Sequence, residues 1–177
     1  MITHADNLIL QAYYTTVLIV ELKNNEFMES GFYQNMTFGQ PVIKEELKKI
    51  GVDNQGSALM ALYAMLVIPR EILYDNYSAE YVKLNDFLNE VVTNTVTSYP
   101  SDSLKVDFIR HIRNSVAHAQ VEFEPNDYVL FQDRDDRRGY EFETRLPLKS
   151  FGTFIGRCEA LIGRFISDRK SEINNQG

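Results

Sequence analysis

The feature that most constrains the fold of this chain is the uninterrupted apolar run ALMALYAMLVI at residues 58–68. A helix that is apolar on every side has to be enclosed by other parts of the protein, so this run predicts a central, buried helix. Pro69 follows directly, and a proline inside a helix lacks the backbone N–H and crowds the preceding turn. We therefore expect a kink or restart at Pro69, with the helical turn continuing to about Tyr74.

Capping residues and the spacing of apolar residues predict helices over most of the remaining sequence. Thr3 is a suitable N-cap for a first long helix, and Pro41 and Gly51 stand where a proline opens and a glycine closes a short one. The last helix carries apolar residues three and four positions apart, which is typical of a helix packed in a bundle. The predicted helices cover residues 3–30, 41–51, 57–74, 78–97, 103–119 and 148–168, and the segment 31–40 is predicted to be a loop.

The segment at about residues 120–147 has a different pattern. Polar and apolar residues alternate over Val121–Glu124 and Tyr140–Leu146, with a further short apolar stretch at Tyr128–Phe131. This alternation is the period of a β-strand, so we predict a small antiparallel hairpin or meander. The fold class is mainly all-α. We expect a single domain over residues 1–177, an antiparallel helical bundle with this β insertion before the C-terminal helix.

Composition narrows the classes of function. The 177 residues include 18 basic and 25 acidic side chains, for a net charge of −7. This balance argues against a broad nucleic-acid-binding surface but is compatible with a local basic site. The lone cysteine, Cys158, lies in an apolar helical run and is expected to be a packed thiol. No apolar run approaches the length of a membrane span and no signal peptide is evident, so we expect no membrane association and a cytoplasmic location.

The helix predicted over residues 103–119 carries unusual polar chemistry on one side. At 100° per residue, one face collects apolar residues and is the expected core face: Leu104, Phe108, Ile112, Val116 and Ala119. The opposite face collects Arg110, His111, Asn114 and His118, with Arg113 at the boundary. We therefore predict an exposed stripe of polar residues.

These residue types suit cleavage of an RNA phosphodiester without a metal ion. Histidine can give and take protons near neutral pH, and arginine presents several donors to phosphate oxygens. Asparagine can orient either group without adding charge. The alternative is an ordinary solvent-facing surface, because an amphipathic helix has a polar face whatever its function. An arginine followed five positions later by a histidine carries little information alone.

Two metal sites are weaker interpretations. His111 and His118 are seven positions apart, whereas paired metal ligands on a helix usually stand four apart, and no third ligand is evident. Asp133, Asp135 and Asp136 lie in a charged segment that does not have the spacing of a calcium loop. We expect that segment to be a solvated turn, and we expect neither a metal ion nor a cofactor.

At these residues the chain resembles the HEPN superfamily of helical-bundle proteins. The family signature is an arginine, a polar residue that is often Asn or Asp, three to five further residues, and a histidine on a late helix. Arg113, Asn114 and His118 fit this signature, and the acidic-aromatic strands and closing helix that follow also resemble a defence- or plasmid-associated branch of the family.

The resemblance implies a metal-independent endoribonuclease that acts as a homodimer, with the motifs of two subunits facing a shared cleft. His118 would be the catalytic imidazole, Arg113 the cation that stabilises the phosphate, and Asn114 an orienting residue. Arg110 and His111 would bind the RNA substrate. Such proteins are often toxins or phage-defence components, which implies an antitoxin or another defence partner.

Two alternatives remain at this point. The chain could be a non-catalytic HEPN-like module that binds RNA, a nucleotide or a protein, or an unrelated helical bundle with a structural or sensor role. One branch of HEPN toxins has a tyrosine two residues after the histidine, which its nucleotidyltransferase antitoxin modifies. Gln120 stands at that position here, so we do not predict such an antitoxin.

Overall fold

The computed structural model describes residues 3–174, apart from the side chains of Glu71 and Ile173. In this range the α-helices are α1 (His4–Asn24), α2 (Gly31–Asn35), α3 (Pro41–Ile50), α4 (Gln55–Leu62), α5 (Ile68–Leu73), α6 (Ser78–Val91), α7 (Phe108–Ala117) and α8 (Leu148–Asn174). The strands are β1 (Thr93–Thr97), β2 (Val121–Glu124), β3 (Tyr128–Asp135) and β4 (Tyr140–Pro147). The mainly helical character that the sequence predicts is confirmed. The antiparallel bundle arrangement and the single-domain boundary stay predictions.

The central apolar run folds as α4, a π-helical turn and α5 in succession. The turn covers Tyr63–Val67, and the N–H of Ile68 donates to the carbonyl of Tyr63. Pro69 explains this wider turn, because it has no N–H for the preceding helical turn and its ring crowds it. The helix type thus changes just before Pro69, and α5 continues to Leu73. The burial is incomplete, since Met60 and Tyr63 face solvent.

The helix ends confirm some capping predictions and correct others. Thr3 caps α1 in a reciprocal capping box with Asp6, and Pro41 and Gly51 bound α3 as predicted. The predicted helix over residues 3–30 is too long. It ends at Asn24 because Glu26 adopts a left-handed conformation with φ of 50°, which breaks the helix. A short 3₁₀ turn follows, and part of the predicted loop 31–40 is helix α2.

The predicted meander is confirmed, but the sheet has a further strand. Its order is β1-β4-β3-β2 with antiparallel pairing throughout. Strand β1 lies in a segment predicted as the end of a helix over residues 78–97. That prediction is wrong because the sequence TNTVT is rich in β-branched residues and pairs with β4, Val96 opposite Glu143 and Thr97 opposite Phe142.

The hydrophobic core joins the helices to one face of the sheet. Fully buried members include Ile9, Leu62, Leu88, Ile112, Phe131, Leu146, Phe154 and Phe165. Cys158 on α8 is also buried, as predicted, and its burial raises the pKa of the thiol to about 12. Within residues 3–174, no helix combines the length and apolarity needed to cross a membrane.

Candidate functional site

Helix α7 carries the predicted site residues, and it begins at Phe108 rather than near Ser103. Asp107 is the N-cap, and its side chain accepts a hydrogen bond from the N–H of Arg110 at 3.0 Å. The side chain of Asn85 on α6 accepts another from a backbone N–H in the first turn, at 3.2 Å. A capped helix starts at the residue after its cap, so the predicted start is wrong.

This later start changes the predicted core face. Phe108, Ile112 and Val116 are buried as predicted. Leu104 is fully exposed, at 100%, and Ala119 is exposed as well. Both predictions fail for the same reason, because these two residues lie outside the helix and do not follow its period.

Helix α7 ends in a Schellman turn that leaves His118 exposed. The N–H of Gln120 donates to the carbonyl of Ser115 at 2.7 Å, and the N–H of Ala119 donates to that of Val116 at 3.3 Å. Ala119 has a φ of 54°, the left-handed conformation that glycine usually supplies in this turn. His118 therefore stands at the C-terminal end of α7, where the chain turns toward the sheet.

His111 is completely buried, at 0% exposure, so the prediction that it shares an exposed stripe with Asn114 and His118 is wrong. Its ring stacks on Phe142 with centroids 4.1 Å apart and planes 8° apart, and Tyr99 lies 4.7 Å away. The sheet packs on this side of α7, which a helical wheel alone does not reveal. A side chain with no exposed surface cannot touch RNA, so the predicted substrate-binding role does not fit His111.

Both ring nitrogens of His111 instead face carboxylates. Nδ1 lies 2.6 Å from Oδ2 of Asp133, and Nε2 lies 2.9 Å from Oδ2 of Asp102. Because a carboxylate only accepts, Nδ1 carries a hydrogen and donates to Asp133. Nε2 is also 2.7 Å from Nη2 of Arg110. A protonated ring donates to Asp102 there, whereas a neutral ring accepts from Arg110.

The two carboxylates are stabilised in their ionised form. Burial alone would raise the pKa of Asp102, but hydrogen bonds from Thr97 and His111, together with the charge of His111, hold that pKa below its usual value. Burial likewise opposes the ionisation of Asp133, and hydrogen bonds from His111 and Asn114 lower its pKa. Both groups therefore carry a negative charge at neutral pH.

The same network holds two of the predicted site residues. Nδ2 of Asn114 donates to Oδ2 of Asp133 at 3.0 Å. The guanidinium of Arg110 donates to Ser101 and Asp102, both at 3.0 Å, and its side chain remains 29% exposed. A ligand can thus still reach Arg110, whose position is set by contacts on its protein side.

These side chains face an open groove of about 670 Å³ between the end of α7 and the turn that joins β3 to β4. The lining includes Arg110, Asn114 and His118 from α7, together with Tyr99 and Tyr140. Arg113 is partly buried and is absent from the lining that residues 3–174 form. Within one chain, Arg110, Asn114 and His118 therefore line one groove, and Arg113 is not among its lining residues.

The acidic segment at residues 133–136, at the end of β3, differs from the predicted solvated turn. Asp133 and Asp135 belong to β3, and Asp133 is buried against His111. Only Asp136 of the three lies in the exposed turn. Among the side chains that the structure describes, no group of three or more His, Cys, Asp or Glu residues is arranged to hold a metal ion.

A comparison with protein families identifies the wider group. The matching family is described as HEPN pEK499 p136, and the match covers residues 3–169. The chain belongs to this HEPN family. No curated protein and no solved structure matches it. The resemblance to the HEPN superfamily that Arg113, Asn114 and His118 indicate is thereby confirmed.

The HEPN motif alone does not reveal the acidic partners of its helix. Asp102 is separated from α7 in sequence, so its contact with His111 depends on the tertiary fold. For Asp133 the sequence does contain a signal. Val129, Phe131 and Asp133 alternate along β3, and all three are buried on one face of the sheet.

Proposed function

We propose that this HEPN protein is a metal-independent endoribonuclease and that the groove at the end of α7 is its active site. The observation that carries this proposal is that an exposed histidine, an asparagine and an arginine, His118, Asn114 and Arg110, line one open groove. Membership of the HEPN family supports it, because HEPN proteins commonly act on RNA.

The chemistry assigned to this groove is transfer within the RNA backbone. The ribose O2′ attacks phosphorus, the bond from phosphorus to O5′ breaks, and the 5′ fragment keeps a 2′,3′-cyclic phosphate. A proton leaves O2′ and another is supplied to the departing O5′, so the imidazole of His118 serves as the base or the acid for one of these transfers. A guanidinium stabilises the negative charge that builds on the phosphate oxygens.

Two arginines are candidates for that guanidinium. Arg113 is the residue that the family motif indicates, and Arg110 is the one that lines the groove of the same chain. We assign the phosphate contact within one chain to Arg110, since its contacts with Ser101 and Asp102 fix its orientation and fixed donors stabilise developing charge best. Arg113 would act from a second subunit if two grooves meet in a homodimer.

The test is cleavage of a labelled single-stranded RNA in the presence of EDTA. We expect wild type to cut and to leave a 2′,3′-cyclic phosphate end, and His118→Ala to lose activity by roughly 100-fold or more, the usual contribution of an acid–base residue. His4→Ala is the matched control, because His4 is exposed on α1 away from the groove. Equal activity of His118→Ala and wild type would contradict the assignment.

The arginine assignment is tested in the same assay. Arg110→Ala should lower kcat, and Arg137→Ala is the control because Arg137 is exposed in the β3–β4 turn outside the groove lining. Circular dichroism checks that Arg110→Ala is folded. An unchanged kcat in the folded variant would contradict the contact that we assign to Arg110.

A non-catalytic HEPN module is the second candidate. The observation in its favour is that Arg113 does not line the groove with His118 in the described chain. This candidate predicts that the protein binds RNA or a nucleotide without cleaving it, and that His118→Ala binds as tightly as wild type. The ribonuclease proposal extends to a role as a toxin or phage-defence component, with an antitoxin as a partner. Toxicity on expression in a host cell would test this extension.

A further inference from the structure

The groove has an aromatic wall that the proposed reaction does not use. Tyr99 and Tyr140 both line it, and their ring centroids are 5.4 Å apart with planes tilted by 49°. The ring of Tyr99 also contacts His111, with ring centroids 4.7 Å apart, and the guanidinium of Arg110, which lies over it at 5.3 Å. For Tyr140, the only ring contact among the described residues is Tyr99, and the ring is partly exposed.

We propose that this wall is a nucleobase-binding subsite, in which an unpaired base next to the scissile phosphate stacks on Tyr140. The substrate is then single-stranded RNA. This inference rests on the proposed function of the groove. Its physical basis is that a base and an aromatic ring gain free energy by stacking, and every base has a face that can do so. A base held in a duplex is already stacked and cannot reach the ring.

The charges around the groove limit how much of the RNA backbone it holds. Arg134 and Arg138 line the groove beside Tyr140 and are largely exposed, at 51% and 71%. Asp135 and Asp136 line it as well, and Asp135 lies 3.8 Å from Arg138. Because acidic side chains lie between the arginines, we expect the groove to hold one base and one or two neighbouring phosphates. It does not offer a continuous basic surface for a long stretch of RNA backbone.

Tyr99 contributes a hydroxyl group as well as a ring. Burial, followed by the charges of Asp133 and Asp135, raises the pKa of Tyr99 to about 12. Its hydroxyl therefore stays protonated at neutral pH and can donate a hydrogen bond to a base or a phosphate. Tyr99 and Tyr140 thus offer a ring surface and a neutral donor, which are contacts that do not select one base strongly.

The experiment measures binding separately from cleavage. A fluorescent single-stranded oligonucleotide with 2′-O-methyl riboses cannot be cut, because O2′ cannot attack, and its affinity is read by fluorescence anisotropy. We expect Tyr140→Leu to bind this probe at least about fivefold more weakly, the loss that one base–aromatic stack predicts. Tyr140→Phe keeps the ring and should bind as wild type does. Tyr14→Leu, at an exposed tyrosine of α1, is the matched control.

Two further arms identify what is bound. The same probe annealed to its complement should bind more weakly than the single strand, and a free nucleoside monophosphate should compete only at much higher concentration. The salt dependence should be shallow, with a slope of log affinity against log salt of about −1.4 for two phosphate contacts. Arg138→Ala should make that slope shallower by about 0.7.

The proposal is overturned if Tyr140→Leu binds the single strand as tightly as wild type, if the duplex binds equally well, or if wild type binds no RNA. The first two results leave the ribonuclease proposal intact whenever the cleavable RNA is still cut. Wild type that binds the 2′-O-methyl probe but does not cut the cleavable RNA has the opposite meaning. This result contradicts the ribonuclease proposal and leaves the base subsite standing.

Discussion

At the scale of single residues, the most informative side chain is His111. It has no exposed surface and links Asp133 on β3 to Asp102 in the 3₁₀ turn before α7. A buried charge is costly unless it is paired, so each of the three groups depends on the other two. We infer that His111 is a positioning residue, which holds the carboxylates that in turn hold Arg110 and Asn114.

Replacing His111 should therefore destabilise the fold. In His111→Gln two buried carboxylates lose their shared partner, and we expect the free energy of unfolding to fall by about 3 kcal/mol, as when a buried ion pair loses one member. Urea denaturation measures this loss. His4→Ala should change stability by less than about 0.5 kcal/mol, because His4 is exposed.

A double variant tests whether the loss comes from the buried carboxylates. Asp133→Asn removes the charge of one of the two carboxylates that lose the hydrogen bond from His111 in His111→Gln. The double variant should then be more stable than the sum of the two single losses predicts, by about 1 kcal/mol or more. Strict additivity of the two losses would contradict the pairing that we infer.

The lowered pKa of Asp133 predicts a dependence of stability on pH. Its carboxyl binds a proton less readily in the folded chain than in the unfolded chain, so the stabilisation is fully present above the usual aspartyl pKa of about 3.9. It is lost as the pH falls through and below that value. Asp133→Asn should make the fall in unfolding free energy on acidification shallower, as measured by urea denaturation from about pH 6 to about pH 3.

Asp136→Asn is the control for this titration, since Asp136 lies in the exposed turn. Its stability should follow the wild-type curve. If Asp133→Asn and Asp136→Asn gave the same curve as wild type, the network around His111 would not be a source of the acid sensitivity.

At the scale of secondary-structure elements, the turn that ends α7 determines where His118 lies. Ala119 occupies the left-handed position of this turn, with φ of 54°, at a cost that glycine does not bear. Ala119→Gly should raise the free energy of unfolding by about 0.5 to 1 kcal/mol, after the greater entropy of the unfolded glycine chain is included. Thermal and urea denaturation measure the change.

The neighbouring alanine is the matched control. Ala117 is exposed in the last turn of α7, so glycine there should lower stability by up to about 1 kcal/mol through its poor helix propensity. The two substitutions are chemically identical and two positions apart, and they should act in opposite directions. A loss of stability in Ala119→Gly would contradict the strain that we assign to the turn.

Which elements the sequence predicts correctly depends on whether their signals are local. The caps at Thr3 and Pro41 and the alternation of the meander are local, and the structure confirms them. Strand β1 requires pairing with β4, which lies far along the chain. A helical wheel likewise cannot show that the sheet covers His111. The family motif is evident from its sequence context, whereas the hydrogen-bond network around His111 depends on tertiary contacts.

At the scale of the whole molecule, a net charge of −7 and the proposed RNA-binding groove are compatible because the arginines are local. Arg110, Arg134 and Arg138 line the same groove, with aspartates between them, so the groove can offer contacts to a phosphate on an acidic protein. Self-repulsion between acidic surfaces opposes association of two copies, and salt screens that repulsion. Any homodimer should therefore be detected at moderate rather than very low ionic strength.

The position of Arg113 yields a prediction about such a dimer. Arg113 does not line the groove that His118 lines in one chain, and we propose that it acts on RNA in that groove from a second subunit. Folded, inactive Arg113→Ala and His118→Ala subunits, co-expressed with different tags and purified as mixed dimers, should then recover part of the activity. Of the two grooves in each mixed dimer, one keeps both Arg113 and His118 and the other lacks both. We therefore expect about half of the wild-type rate in a two-fold symmetric dimer.

The matched control uses two residues that share a groove. Asn114 and His118 line the groove of the same chain, so a mixed dimer of Asn114→Ala and His118→Ala subunits leaves no groove with both residues intact. Its rate should be about the mean of the rates of the two parents, with no recovery above the more active one. Recovery in the first mixture but not in the second would place the arginine and the histidine of the motif on opposite subunits. Recovery in neither mixture would contradict the shared cleft and leave Arg110 as the phosphate contact of a site complete within one chain.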